Sequence, residues 1–193
     1  FAADVGTERL RRVVRDVASR IGSPVFCIEG LDDIAGPLPT VVGHLLQRQG
    51  ATVATAESCT GGRVAAELTG VPGSSAWFTE GVVTYSNASK VRQVGVSADT
   101  LSTHGAVSQP VAEQMATGVR ERAGTTFGLA TTGIAGPDGG TLDKPVGTVH
   151  IALSTPDRVH HRKLHLGGDR QRIQSLSAAG VLDLLRRHLQ GLL

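Results

Sequence analysis

The chain has 193 residues, a formal net charge of +2 and only 3% aromatic residues. That length suffices for one substantial core plus an accessory piece, since a domain of about 150 residues already buries most of the surface its unfolded chain exposes. The charge is spread over both ends, no basic stripe alternates with stacking aromatics, and no apolar run approaches the ~20 residues of a membrane span, so neither direct nucleic-acid binding nor membrane insertion is expected.

Residues Thr7 to Ile21 have the spacing of an amphipathic helix, with Leu10, Val13, Val14, Val17, Ala18 and Ile21 on one stripe and Arg11, Arg12, Arg15 and Asp16 opposite. Pro24 to Ile28 reads as a short strand and Glu29 to Pro39 as a linker. One helix and one strand bury little, so residues 1–39 are expected to be a fragment of a small linker domain. The chain opens on Phe1 and its only methionine is Met115, which suggests that more chain lies upstream.

From Thr40 to residue 193 strands and helices alternate, the pattern of a layered α/β/α domain with a mixed sheet. Val41, Val42, Leu45 and Leu46 mark a helix, Thr52 to Thr55 a strand and Gly62 to Leu68 a helix. Trp77 to Ser86 reads as a strand, Asn87 to Val94 and Pro110 to Arg122 as helices, the second with Ser108 as N-cap. Thr125 to Thr131 is a strand entering a glycine-rich loop, Gly147 to Ser154 and Val159 to Leu166 are an antiparallel pair, and a helix runs from Arg170 to Leu189. Its apolar side carries Ile173, Leu176, Ala179, Val181, Leu182 and Leu185. Cys27 and Cys59 have no metal-type spacing and make no disulfide framework, which fits a reducing cytoplasm.

Ala56-Glu57-Ser58-Cys59-Thr60-Gly61-Gly62 places a serine where a strand turns into a helix. Thr60, Gly61 and Gly62 can there offer unpaired N–H groups to an oxyanion or phosphate, and the glycines admit close approach. The plainer alternative is a serine N-cap in a strand-to-helix turn. G-x-S-x-G, S-x-x-K, Walker A and H-E-x-x-H signatures are all missing. His160, His161 and His165 alternate across a strand without a carboxylate or cysteine beside them, and read as solvated; His104 reads as a loop residue. No metal site is expected.

The base for Ser58 is then sought in Thr84-Tyr85-Ser86-Asn87-Ala88-Ser89-Lys90. Lys90 qualifies only if burial or nearby positive charge keeps it neutral; otherwise it is an exposed helical lysine. Tyr85 either orients the amine or packs in the core, and Asn87 is an N-cap or a polar ligand contact. The loop Gly133 to Gly140, including Ala135 and Gly136, follows a strand where α/β sheets bind ligands. Arg170 in Gly167-Gly168-Asp169-Arg170 either holds a phosphate or pairs with a carboxylate such as Asp169. Cys59 is the rival nucleophile, disfavoured because no histidine partner is evident.

These segments, with Gly73-Ser74-Ser75-Ala76-Trp77-Phe78, His104-Gly105-Ala106-Val107-Ser108 and Lys144-Pro145-Val146-Gly147-Thr148-Val149, resemble the CinA C-terminal domain family over about Thr40 to Leu189. The resemblance implies nicotinamide-nucleotide amidohydrolase activity: nicotinamide mononucleotide is deamidated to nicotinate mononucleotide and ammonia, without metal or cofactor, in pyridine nucleotide recycling. It implies a Ser58–Lys90 dyad with Tyr85 and Asn87 beside the lysine and Arg170 as a substrate contact. It also implies an upstream N-terminal domain. A homodimer is the expected assembly on general grounds. The alternative is a non-catalytic nucleotide-binding regulatory module of a competence- or damage-inducible protein.

Overall fold

The computed structural model describes residues 12–17, 20 and 36–193. Residues 12–17 and 20 are helical (α1), but Val13 and Val17 of the expected apolar stripe are exposed, and such a stripe stabilises a helix only against a partner surface. The strand expected over Pro24 to Ile28 and most of the linker lie outside the described residues.

Eleven regular elements follow: α2 (Leu38–Arg48), β1 (Val53–Glu57), α3 (Arg63–Thr69), β2 (Phe78–Val83), α4 (Asn87–Val94), α5 (Ala98–His104), α6 (Gln109–Ala123), β3 (Phe127–Gly133), β4 (Thr148–Ser154), β5 (Val159–His165) and α7 (Arg170–Leu189). The strands form one sheet in the order β2-β1-β3-β4-β5. β1 is parallel to β2 and β3, whereas β3–β4 and β4–β5 are antiparallel, so the sheet is mixed. Helices cover both faces, giving the α/β layering that the alternation predicts.

The two faces differ in thickness. Val53, Leu129, Ile151 and Leu153 pack under α2 and α7, while Ala54, Ala56, Ala130 and Ala152 meet α6. The alanine face lets α6 settle onto the backbone. A Cβ at Gly128 would lie 2.1 Å from the Ala116 carbonyl oxygen, so glycine there is a packing requirement. β1 is buried at every residue, as a parallel strand covered on both faces should be. β5 closes one edge with His160, His161, Arg162, Lys163 and His165, side chains that discourage pairing with another strand.

Several local expectations need correction. His104 lies in the last turn of α5, a helix too short and too polar for its period to stand out, and not in a loop. β2 ends before Ser86 because the Ser86 hydroxyl caps α4, accepting from Ser89 N at 3.1 Å. Ser108 occupies the N-cap position of α6, yet its hydroxyl donates to Gly105 O at 2.8 Å and makes no cap bond. On α7, Leu176 is exposed and Ala179 only half-buried; the core stripe passes instead through Ser177, Ala178 and Leu184. Ser177 is tolerated there because its hydroxyl donates to Ile173 O at 2.7 Å. Among the described residues no helix is long and apolar enough to cross a membrane.

Candidate active site

Because β1 and β2 are parallel neighbours, their C-terminal ends emerge together and bring Ser58 beside the segment from Thr84 to Lys90. Ser58 N donates to Thr131 O at 3.0 Å and Thr84 N to Glu57 O at 2.7 Å, which ties both segments to the sheet. Lys90, in the second turn of α4, is 1% exposed. Its Nζ lies 3.1 Å from Ser58 Oγ and donates to Thr84 O at 2.8 Å. No ion pair to Lys90 occurs among the described residues. Burial pushes its pKa down, with the Cys59 sulfur as the opposing influence. A buried amine without a carboxylate is suited to giving and taking a proton at the hydroxyl it touches.

The turn after Ser58 is arranged differently from the sequence expectation. Gly61 N donates to Ser58 O at 3.1 Å, and Gly62 N donates to Glu57 Oε2 at 3.0 Å. Val64 N and Ala65 N also donate to the Glu57 carboxylate, at 3.1 and 2.8 Å. The anion expected at this helix start is therefore the chain's own Glu57, and the Gly61 and Gly62 N–H groups are not free. The Thr60 N–H, in contrast, donates to no protein acceptor among the described residues, and the Cys59 N–H meets only its own thiol sulfur, a weak acceptor. The buried Cys59 thiol is pushed up to about 12, first by desolvation, so it stays protonated near neutrality and Ser58 is the better nucleophile.

Ser58, Lys90, Tyr85, Thr132, Ala135 and Arg170 line a cleft of about 230 Å³, with Gly133 and Cys59 also on its wall. Tyr85 is exposed rather than in the core, and its hydroxyl accepts from Arg170 Nη2 at 2.9 Å instead of meeting Lys90. Arg170 Nη1 donates to Gly136 O at 2.8 Å, so the arginine joins the glycine-rich loop to the mouth of the cleft. Arg170 makes no pair with Asp169, whose carboxylate caps α7 by accepting from Arg172 N at 2.8 Å. Asn87 is exposed in the first turn of α4 and lies outside the cleft wall, and the cap role falls to Ser86. Thr60 and Gly61 line a separate hollow of about 540 Å³ with Arg63, Glu67 and Gln174. A further hollow of about 520 Å³ runs from Gln93 to Arg122 and one of about 640 Å³ lies between Arg48 and Gln190, but none of these larger spaces holds a nucleophile beside a base, so chemistry rather than volume selects the Ser58 cleft.

The histidines form pairs rather than a metal cluster; no group of three or more metal-ligating residues occurs among the described residues. His150 Nδ1 and His161 Nε2 are 2.9 Å apart, and His160 packs against His188. Desolvation, followed by the His161 and Lys163 charges, lowers His150 from 6.5 to about 4. His160, His161 and His188 shift the same way, each chiefly by desolvation. The unfolded chain therefore takes up protons below about pH 6.5 that the folded chain refuses until about pH 4. Unfolding free energy is expected to fall across that window as pH drops, in urea titrations, and His150→Gln to flatten the slope.

A profile of the CinA C-terminal domain matches residues 36–189. A CinA-like protein of Citrifermentans bemidjiense is 52% identical over 145 residues, covering 75% of this chain and 35% of that protein. One from Kosmotoga olearia is 48% identical over 179 residues, covering 92% of this chain and 42% of its own length. The chain thus spans less than half the length of these relatives. The crystal structure of a competence/damage-inducible protein from Agrobacterium tumefaciens superposes with a TM-score of 0.76 at 39% identity, covering 82% of this chain and 99% of that one. A CinA-superfamily protein of Klebsiella pneumoniae gives 0.77 at 34% identity, covering 80% and 96%.

Proposed function

Because this chain belongs to the CinA C-terminal domain family, we propose that it hydrolyses the carboxamide of nicotinamide mononucleotide to nicotinate mononucleotide and ammonia. The observation that carries this reading is the 3.1 Å approach of a buried Lys90 amine, without an ion pair among the described residues, to the Ser58 hydroxyl. Neutral Lys90 takes the Ser58 proton as Oγ attacks the carboxamide carbon. The Cys59 and Thr60 N–H groups receive the developing oxyanion, and Lys90 returns the proton to the departing ammonia. Water, activated by the same amine, then releases the acid and regenerates Ser58. A cleft of about 230 Å³ is smaller than the ~300–1,000 Å³ of fully enclosing sites, so it fits the pyridine end while the ribose phosphate lies toward Arg170 and Tyr85 at the mouth. The glycine-rich wall at Gly133, Ala135 and Gly136 supports that end. No metal or cofactor is needed in this scheme.

The same reading assigns residues 40–193 to the amidohydrolase domain and residues 1–39 to a linker domain of a longer cytoplasmic protein that pairs as a dimer. The test is release of ammonia and nicotinate mononucleotide in chelator-containing buffer. Ser58→Ala is expected to lower turnover by well over about 10³-fold while mononucleotide binding persists. Equal residual turnover in Ser58→Ala would exclude the serine mechanism; a parent that binds without turnover would favour a regulatory nucleotide module.

A further inference from the structure

We propose that Gln174 is a positioning residue for the oxyanion site behind Ser58, an inference that rests on the acyl-transfer reading above. From the first turns of α7, Gln174 Nε2 donates to Cys59 O at 2.8 Å, across 115 residues of sequence. The peptide group it holds is the one joining Cys59 to Thr60. In a trans peptide the N–H points away from the carbonyl, so anchoring Cys59 O fixes the direction of Thr60 N–H. The preceding peptide is anchored in the same manner, because Ser58 O accepts from Gly61 N at 3.1 Å. Two successive N–H groups, of Cys59 and Thr60, are thereby directed away from carbonyls that are held by donors.

Both residues are buried, at 5% and 3% exposure; the Thr60 N–H meets no protein acceptor among the described residues, and the Cys59 N–H meets only its own thiol sulfur, a weak acceptor. Buried N–H groups are rarely left without a strong acceptor, so a free Thr60 N–H beside a weakly engaged Cys59 N–H, next to a nucleophile, calls for an acceptor that arrives with the substrate. An oxyanion on a carbon bonded to Ser58 Oγ fits that need. The turn cannot hold this arrangement by stiffness alone: Gly61 and Gly62 follow at φ +64° and +98°, where the backbone has its greatest freedom. Gln174 supplies the tether from a helix rooted in the core at Ile173, which is 1% exposed. Its bond also polarises the Cys59–Thr60 peptide and makes Thr60 N–H a better donor. Arg170 and Gln174 stand four residues apart on α7, so one face of one helix serves both the mouth of the cleft and the back of the nucleophile turn.

The experiment compares the parent with Gln174→Ala and Gln174→Glu in two assays: hydrolysis of nicotinamide mononucleotide, and labelling of Ser58 by a biotin-tagged fluorophosphonate. In labelling, Ser58 Oγ forms a bond to phosphorus, the P–F bond breaks, fluoride leaves and the hydroxyl proton passes to Lys90. Gln174→Ala is expected to lower kcat and the labelling rate together by about tenfold, with KM within twofold and Tm within a few degrees. Gln174→Glu, the same shape without a donor at neutral pH, is expected to be at least as impaired as the alanine variant. Glutamate retaining activity where alanine loses it would reveal a packing role and overturn the proposal, as would unchanged kcat and labelling in both. A parent labelled at Ser58 that releases no ammonia would refute the mononucleotide substrate alone, and the labelling series would still decide Gln174. A parent that resists labelling would overturn the oxyanion site and the role of Gln174 with it.

Discussion

Replacing Lys90 by methionine is expected to abolish amide hydrolysis and, in the same protein, to raise the thermal unfolding temperature. The two effects share a cause. Lys90 is 1% exposed, touches only Ser58 Oγ and Thr84 O with its amine, and forms no ion pair among the described residues. Burial lowers its pKa from the ordinary 10.5. The sign of the stability effect follows from linkage. Below pH 10.5 the unfolded chain binds a proton that the folded chain accepts only at lower pH, so folding is penalised, and the penalty reaches its full size below the folded pKa. Methionine keeps the length of the side chain and removes the group that must be desolvated. At pH 7 each kcal/mol recovered raises Tm by about 2–4 °C in a chain of this size, and the gain should vanish above pH 10.5 where both states of the lysine are neutral. Loss of a general base lowers kcat by about 10²–10⁴-fold, and more when the same group also serves the leaving ammonia. Thermal melts at pH 7 and 11, run beside the ammonia assay, decide the matter; a methionine variant that melts earlier at pH 7 or keeps its turnover would sink the argument.

How far this site is legible in the sequence depends on the reach of each signal. The Ser58 turn is local: a β-branched strand, two glycines and a helical pattern within a dozen residues announce it, and the structure places Ser58 at that junction. Lys90 is legible as a lysine opening a helix after a strand, but the approach that gives it meaning needs β1 and β2 to be parallel neighbours, which no spacing states. The α/β layering follows from alternation, whereas α5 does not, because seven residues with one buried side chain, Leu101, show too little period. Gln174 lies 115 residues from the carbonyl it holds, and His150 looks like one more polar residue of β4 until the antiparallel register sets His161 diagonally across from it. Tyr85 illustrates the opposite error: a lone tyrosine invites a core or amine-orienting role, yet the fold leaves it exposed and bonded to Arg170.

Glu57→Ala is expected to cost about 3–5 kcal/mol of stability and to lower kcat more than tenfold, although Glu57 carries no role in the sequence reading. It stands next to Ser58 at the end of β1, 1% exposed, with its carboxylate turned away from the cleft to accept the N–H groups of Gly62, Val64 and Ala65. Bonds from N–H groups to an ionised acceptor are worth about 1.5–3 kcal/mol each, and they place a negative charge against the positive end of α3. Truncation leaves those donors without an acceptor and frees the turn that carries Ser58. Glu57→Gln should fall between the parent and the alanine variant, since its amide oxygen still accepts while its NH₂ opposes an N–H. Holding the carboxylate on α3 has a second consequence for chemistry. Were it to face Lys90 it would favour the charged ammonium and remove the base; committed to three backbone donors, it leaves the amine without a counter-ion. Thermal melts and the ammonia assay on both variants test the pair of claims, and an alanine variant melting within 2 °C of the parent, where about 6–20 °C is expected, would overturn them.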